Sequence, residues 1–389
     1  MAPPGFGPPG YSIPQRYRHR EAPPQGADTN TRPYLIFFSY LGTCVSVTVF
    51  IILKILKRYS VLQKSTTAQP PPRKHVWLFT ALAVGSLATT WSFMVQYFSI
   101  SYQTWLMWRS YLELDPHHRH WGLWLRETSL FKEAWETLIV GTARYWWSHQ
   151  IFFFALGLGL YLEQKGIRRG IKYTWAFMLL GQIVAISFAT NLFFLTLLLS
   201  PPAPPPPSSG VYRRKWLGPW LLNLVAILAT TYPALLLADE HYWHHPTAFM
   251  PVLLAPHVAL LVLPFARAIL PAKYFNDNDV DFTDKVYNYM WALVLGNAGL
   301  MLLRATASSY AYSGFRGIRD ALLEHPVVST VGFDVIFCWI TWICWYQTQS
   351  TTTNTNVKER FVGTDGGLVG DASNTAVGAS GYDGGVRRR

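Results

Sequence analysis

The chain has 389 residues, of which 50% are apolar, 16% are aromatic and only 14% are charged. Because soluble domains usually carry about 25% charged residues, this composition indicates a protein that lies largely in lipid. The formal net charge of +12 does not indicate a nucleic-acid-binding protein, since the basic residues stand in short clusters beside hydrophobic runs. Cys44, Cys338 and Cys344 lie in apolar runs without metal-binding spacing, which argues against a disulfide framework and a zinc site.

The hydropathy pattern predicts an all-α, polytopic transmembrane helix bundle. Residues 1–33 are rich in Pro and Gly and predict a disordered N-terminal tail, and residues 348–389 predict a disordered C-terminal tail. Residues 34–347 form the transmembrane helical domain, with about eight runs near the roughly 20 apolar residues that a span needs. The predicted spans cover residues 34–56, 77–102, 146–163, 172–199, 216–238, 250–270, 285–304 and 327–347.

The long loop between the second and third spans, residues 103–145, carries an amphipathic pattern. Apolar residues recur at helical spacing from Leu130 to Ile139, which predicts a helix lying on the membrane surface. Glu133 and Glu136 stand on this predicted helix, whose Phe131, Trp135 and Leu138 are expected to face the bilayer or the bundle.

An even number of spans places both termini on one side of the membrane. The arginines of the N-terminal and C-terminal tails favour the cytoplasmic side under the positive-inside rule. We therefore expect an integral, multi-pass membrane protein of the endoplasmic reticulum.

Asp334 is the only carboxylate clearly inside a predicted span. It lies about seven residues into the last span, or about 10 Å below the membrane surface. Ionisable groups at this depth usually face a cavity or a partner, so Asp334 is either a functional acid or a hydrogen-bonding group between helices. His257 and Asn297 lie at matching depth from the same face, which predicts that the three side chains share one cavity. Gln182, Tyr232, Trp91 and Asn191 are further candidate pocket residues.

Several polar motifs do not predict a metal or cofactor site. Asp239 and Glu240 precede three histidines in the loop after the fifth span, but this loop lacks the HExxH arrangement. It is expected to be a polar lid or a solvated loop. DNDVD at residues 277–281 lacks the Gly and Glu of a calcium loop. The sequence has no DDxxD, P-loop or dinucleotide fingerprint, so we expect no metal and no cofactor.

Three blocks resemble a known family of membrane enzymes. They are ETSLFKEAWETLIVGTARYWWSHQIFF, GIRRGIKYTWAFMLLGQIVAISFATNLFFL and HPVVSTVGFDVIFCWITWICW, with PHVALLVLPFARAILP as a fainter echo. The blocks are similar to the integral-membrane terpene cyclases of fungal meroterpenoid and terpenoid gene clusters, of the macrophorin and ascochlorin type. They cover about a third of the chain. The likeness lies in the general run of residue types and in the order of the blocks, and not in a short diagnostic motif.

The resemblance implies a cyclisation that begins by protonation, without ionisation of a diphosphate. A carboxylic acid protonates an alkene or epoxide of a farnesyl-type substrate, which is a polyprenyl or prenylated-aromatic small molecule, and a base removes the last proton. Asp334 is the first choice of acid, because hydrocarbon surroundings favour a neutral carboxyl group, and His257 or Asn297 would orient it. Asp239 and Glu240 are the second choice, and Glu133 or Glu136 would be a second acid or the final base. Aromatic faces at membrane depth would stabilise the cations; those available are Trp91, Tyr232, Trp291, Trp339 and Trp342.

Two other classes of function fit the same sequence. One is a transporter or receptor for a small lipid or metabolite, although the chain has no repeated half. The other is a non-catalytic membrane scaffold in which Asp334 only ties helices together. A cyclase requires a closed apolar pocket that ends on a carboxyl group, whereas a transporter requires a polar path to alternate faces.

Overall fold

The computed structural model describes residues 30–64, 71–109, 119–167, 169–200, 220–243, 245–269 and 280–365. Within these ranges the chain is helical, with twelve α-helices, one π-helical turn and no strand. It divides into two compact units, Met1–Thr341 and Trp342–Arg389, and every contact discussed below lies within the first unit.

The helices are numbered in chain order. They are α1 Thr31–Lys64, α2 Arg73–Arg109, α3 Trp121–Glu127, α4 Leu130–Ile139, α5 Thr142–Tyr161 followed by the π-turn Leu162–Gly166, α6 Thr174–Ile183, α7 Ile186–Leu198, α8 Trp220–Leu237, α9 Glu240–Trp243, α10 Phe249–Ile269, α11 Val280–Glu324 and α12 Pro326–Asp365. α11 is interrupted at Gly314, whose φ of 63° is a left-handed conformation that favours glycine. The first part of the predicted C-terminal tail is helical, because α12 continues to Asp365; residues 1–29 and 366–389 of the predicted tails lie outside the described residues.

In the part of the chain that the structure describes, five helices are long and apolar enough to cross a membrane. They cover Thr31–Lys64, Arg73–Met107, Phe249–Ile269, Asp284–Glu324 and Pro326–Gln349. These helices fit the predicted multi-pass membrane protein. The count of about eight spans is not confirmed, because three further apolar helices, Thr174–Ile183, Ile186–Leu198 and Leu222–Leu237, are shorter and α5 is not among the five. α4 forms where the amphipathic helix was predicted, but its position on the membrane surface stays a prediction.

α5 lies at the centre of the first unit and is mostly buried. It packs mainly against α11, and Trp146 Nε1 donates a hydrogen bond of 2.8 Å to Thr306 Oγ1. Trp147 Nε1 donates to the Ile318 carbonyl, also at 2.8 Å, so two indoles fix α5 along α11. α7 is buried on all sides, as expected for a helix without a polar face, and packs against α2 and α6.

The predicted fourth span, residues 172–199, is broken into two helices. α6 ends at Ile183, and α7 begins at Ile186 after an extended Ala185 with φ of −164° and ψ of 138°. The break contains neither Gly nor Pro, so the local sequence does not explain it. Gly181 allows close packing across the break, since a Cβ there would lie 3.0 Å from Ile186 Cδ1 and 3.5 Å from Ala189 Cβ.

We predict that Gly181→Ala destabilises the protein by about 1–3 kcal/mol, because the added methyl group overpacks the contact with Ile186. Gly299→Ala in α11 is the matched control, since a Cβ at Gly299 meets no atom within 4 Å. Thermal unfolding of both variants in the same detergent measures the effect. Equal unfolding temperatures for the two variants would contradict the close packing across the break.

Candidate functional site

A large cavity lies beside the break between α6 and α7. Its volume is about 1370 Å³, which exceeds the usual range for small-molecule sites of about 300–1,000 Å³. Its walls come from α1 to α6, α10 and α12, together with Val184 and Ala185 of the break and Ile186 at the start of α7. Most lining side chains are apolar or aromatic, so the cavity suits a large hydrophobic molecule.

Asp334 lines this cavity and caps the first turn of α7. Its side chain is only 6% exposed. Oδ2 accepts a hydrogen bond of 3.0 Å from the Ile186 N–H, and Oδ1 accepts one of 2.9 Å from the Ser187 N–H. The first N–H groups of a helix have no partner within the helix and carry the positive end of its dipole. Asp334 therefore supplies from α12 the cap that the sequence of the break lacks.

Side chains of α1 satisfy the other side of the break. The Tyr40 hydroxyl donates a hydrogen bond of 2.7 Å to the Ile183 carbonyl, and Cys44 Sγ lies 3.7 Å from the same oxygen. Unsatisfied backbone groups cost several kcal/mol at membrane depth, so irregular backbone survives there only when it is buried in protein or lines a cavity. The break meets both conditions.

The partners of Asp334 differ from those that the sequence predicted. Two backbone N–H groups hold its oxygens, in place of His257 or Asn297. A carboxyl group has about four lone-pair positions, so each oxygen keeps one for a proton or a ligand. The geometry thus combines the two interpretations of Asp334, because the group ties helices together and also borders the cavity.

His257 and Gln182 line the same cavity as Asp334. His257 Nδ1 lies 3.0 Å from the Leu253 carbonyl, and its ring meets that of Trp135 edge-on at 5.5 Å between centroids. Gln182 Nε2 lies 3.6 Å from Met178 Sδ, within α6. Of the three side chains that were predicted to share one cavity, His257 and Asp334 are among the lining residues.

Asn297, Tyr232, Trp91 and Asn191 do not line the cavity, so their assignment to the pocket is wrong. Tyr232 is 63% exposed on α8. Asn191 is fully buried, but its Oδ1 accepts from Thr341 Oγ1 at 3.1 Å and its Nδ2 donates to the Ser187 carbonyl at 2.9 Å. The number of residues from the end of each predicted span placed these side chains at a similar membrane depth. That number carries no information about the direction in which each side chain points around its helix axis.

The four other candidate carboxylates also lie away from the cavity lining. Asp239 Oδ1 accepts a hydrogen bond from the His241 N–H at 3.0 Å in an exposed turn, and Glu240 begins the short helix α9. Glu133 Oε1 accepts from the Ser129 N–H at 3.0 Å. Glu136 pairs with Lys132 at 3.5 Å. Among the described residues that line the cavity, Asp334 is the only carboxylate.

The aromatic lining of the cavity comes from residues that the sequence analysis did not assign to it. Trp91, Tyr232, Trp291 and Trp339 are absent from the lining, and Trp342 belongs to the second unit. The aromatic residues that line it are Phe37, Tyr40, Tyr97, Phe98, Phe131, Trp135 and Phe152. The apolar spacing of α4 predicted that Phe131 and Trp135 face the bilayer or the bundle, and nothing in the sequence distinguished a cavity from these two environments.

A second buried carboxylate, Glu163, was also missed. It lies in the π-turn after α5 and forms an ion pair with Arg267 of α10. Beside it, Trp291 Nε1 donates a hydrogen bond of 3.1 Å to Gln164 Oε1. The signal in the sequence was a glutamate at the end of a predicted span, but its partner lies about a hundred residues further along the chain. Neither Glu163 nor Arg267 lines the cavity.

A comparison with protein-family models, curated protein sequences and solved structures finds no match to this chain. The cavity and the residues around it are therefore the basis on which we infer a function.

We predict that Asp334→Ala opens the first turn of α7. Two buried N–H groups then lose their partner, at a cost of about 1–3 kcal/mol each. Hydrogen–deuterium exchange in detergent should show faster exchange at the Ile186 and Ser187 amides, by tenfold or more for each 1.4 kcal/mol lost.

Thr341→Val is the control for this experiment, because it removes another hydrogen bond between α12 and α7 without touching the cavity lining. Its exchange at Ile186 and Ser187 should stay close to that of the wild type. Unchanged protection of these amides in Asp334→Ala would show that the break does not depend on Asp334.

Proposed function

We propose that this chain is a membrane-bound terpene cyclase that starts cyclisation by protonating a farnesyl-type terpenoid or meroterpenoid. The observation that carries the proposal is the position of Asp334, the only carboxylate among the described lining residues of a large apolar cavity. The resemblance of the three sequence blocks to fungal integral-membrane terpene cyclases supports the same reaction. We further propose that the enzyme acts in the endoplasmic reticulum membrane and needs neither metal nor cofactor.

The proposed reaction begins at the Asp334 carboxyl group. Its proton passes to the terminal alkene carbon or to the epoxide oxygen of the substrate, and a carbocation forms as the π bond or the C–O bond breaks. Successive alkene π electrons close the rings, and a base removes a proton from the last cation to form the final alkene. The Ile186 and Ser187 N–H groups stabilise the carboxylate that remains, which favours proton donation.

The walls of the cavity suit the cations that follow. The faces of aromatic rings attract cations, and several rings line the same cavity as Asp334, among them Phe152 and Trp135. Apolar walls also exclude water, which would otherwise quench a carbocation. The bond from His257 Nδ1 to the Leu253 carbonyl places a proton on Nδ1, so Nε2 of a neutral ring is a proton acceptor. His257 is therefore our candidate for the final base.

The second candidate function is a transporter or receptor for a small lipid. The observation that favours it is the broken helix, because carriers often bind substrates at the ends of half-helices. In this chain the N-terminus of α7 already binds Asp334, which leaves fewer free N–H groups for an anionic substrate. A scaffold function would leave the cavity without a ligand.

The proposal is tested by expressing the full chain in yeast microsomes that are supplied with prenylated phenols and their terminal epoxides. Cyclised products, identified by mass spectrometry and NMR, are expected from the wild type. Asp334→Asn cannot supply the proton and should lower turnover by about a hundredfold or more. Recovery of unchanged substrate from the wild type across the whole panel would contradict the proposal.

Two controls separate proton donation from other effects. Thr341→Val tests loss of a contact between α12 and α7, and the double variant Asp239→Asn/Glu240→Gln tests loss of carboxylates outside the cavity. Both should keep turnover per folded molecule within about threefold of the wild type, because none of these residues lines the cavity. Near-normal turnover by Asp334→Asn at wild-type expression would leave Asp334 as a structural cap.

A further inference from the structure

Three basic residues border the cavity at the end opposite Asp334. Arg32 lies at the start of α1, Arg126 in α3 and Lys132 in α4, and all three line the cavity. Arg126 Nη1 donates a hydrogen bond of 3.2 Å to Asn30 Oδ1, which joins α3 to the beginning of α1. We call the end of the cavity defined by these three residues the basic mouth.

The basic mouth and Asp334 are separated by the length of the cavity. From Thr31 at the mouth to Tyr40 beside the break, α1 rises nine residues, or about 14 Å. Tyr40 binds the Ile183 carbonyl on one side of the break, and Asp334 binds the amides on the other side. An elongated ligand in this cavity therefore has one end at the cations and the other end near the carboxyl group.

The carboxylates near the basic mouth do not line the cavity. Glu127 is buried and accepts a hydrogen bond of 3.0 Å from Trp105 Nε1, with Arg126 at 3.9 Å from its other oxygen. Glu136 pairs with Lys132 at 3.5 Å, but both side chains are partly exposed, and such pairs contribute little. An anion inside the cavity would thus meet the cations directly and the carboxylates only beyond them.

Two apolar residues of the cavity lining keep much of their surface uncovered by protein. Ile36 on α1 is 61% exposed and Phe131 on α4 is 47% exposed, and both line the cavity. The lining therefore offers apolar surface to the hydrophobic part of a ligand.

We infer that the ligand of this cavity is a membrane-soluble amphiphile with one anionic head group, a carboxylate, bound at the basic mouth. Its apolar chain then extends towards Asp334. This inference rests on the proposed function, in that it takes the cavity as the substrate site, and it narrows the substrate to acidic prenylated aromatics. Arginine suits this task because its guanidinium group can donate two parallel hydrogen bonds to a carboxylate.

The test compares two ligands that differ only in charge. The purified full chain in phosphatidylcholine nanodiscs is titrated with 3-farnesyl-4-hydroxybenzoic acid and with its methyl ester, and binding is measured by calorimetry. The acid should bind about tenfold more tightly than the ester or better, as expected for a charge-assisted contact. Equal affinity of the two ligands for the wild type would overturn the inference.

Matched variants assign the preference to the basic mouth. Arg32→Gln/Arg126→Gln/Lys132→Gln should abolish the preference for the acid while the affinity for the ester changes less than about threefold, which also shows that the variant is folded. Lys57→Gln/Lys64→Gln/Arg73→Gln removes the same net charge away from the cavity lining and should keep the preference. A preference that survives the first variant, or disappears in the second, would overturn the assignment.

A second arm distinguishes the small amphiphile from an anionic lipid head group. In nanodiscs that contain phosphatidylserine, the affinity for the acid should fall only through general surface repulsion. The variant Lys57→Gln/Lys64→Gln/Arg73→Gln should show the same fall. Selective competition by phosphatidylserine in the wild type would assign the basic mouth to lipid and overturn the inference. Because binding is measured without turnover, failure of the cyclase assay and failure of this test remain distinguishable.

Discussion

The structure around the cavity depends on the contact between one carboxylate and the end of a broken helix. α6 and α7 would form one long helix if the chain between Ile183 and Ile186 were regular, and no Gly or Pro prevents this. The break is stabilised from outside, by Asp334 on the N–H groups of α7 and by Tyr40 on the carbonyl of α6. Since water is scarce at membrane depth, these side chains replace the hydrogen bonds that solvent would provide.

This arrangement explains how one group can serve both structure and chemistry. Burying a carboxyl group beside an apolar cavity costs free energy. The hydrogen bonds that Asp334 accepts from the N–H groups of α7 offset this cost. The same N–H groups stabilise the anion that is left when the proton is donated. In the proposed reaction Asp334 therefore needs no metal and no second carboxylate to assist it. The aromatic rings on the other walls then stabilise charge that has moved away from Asp334.

The sequence predicted the class of fold and the central residue, but little of the geometry around it. Long apolar runs identified the membrane helices, and rarity of charge at membrane depth identified Asp334. Matching depth grouped His257 and Asn297 with Asp334, but only His257 lines the same cavity, because depth does not specify which way a side chain points around its helix axis. The break in the fourth predicted span could not be foreseen, since its cause lies in α1 and α12, more than a hundred residues away in each direction.

The central claim is that Asp334 acts as a proton donor in addition to capping α7. The most direct measurement is turnover per folded molecule, compared with the free energy of unfolding, for Asp334→Asn and for two variants outside the cavity lining, Thr341→Val and Trp146→Phe. If Asp334 donates the proton, Asp334→Asn falls about a hundredfold or more below the trend that the other two variants define. If all three variants lie on one line, so that lost turnover follows lost stability alone, Asp334 is only a cap and the account is wrong.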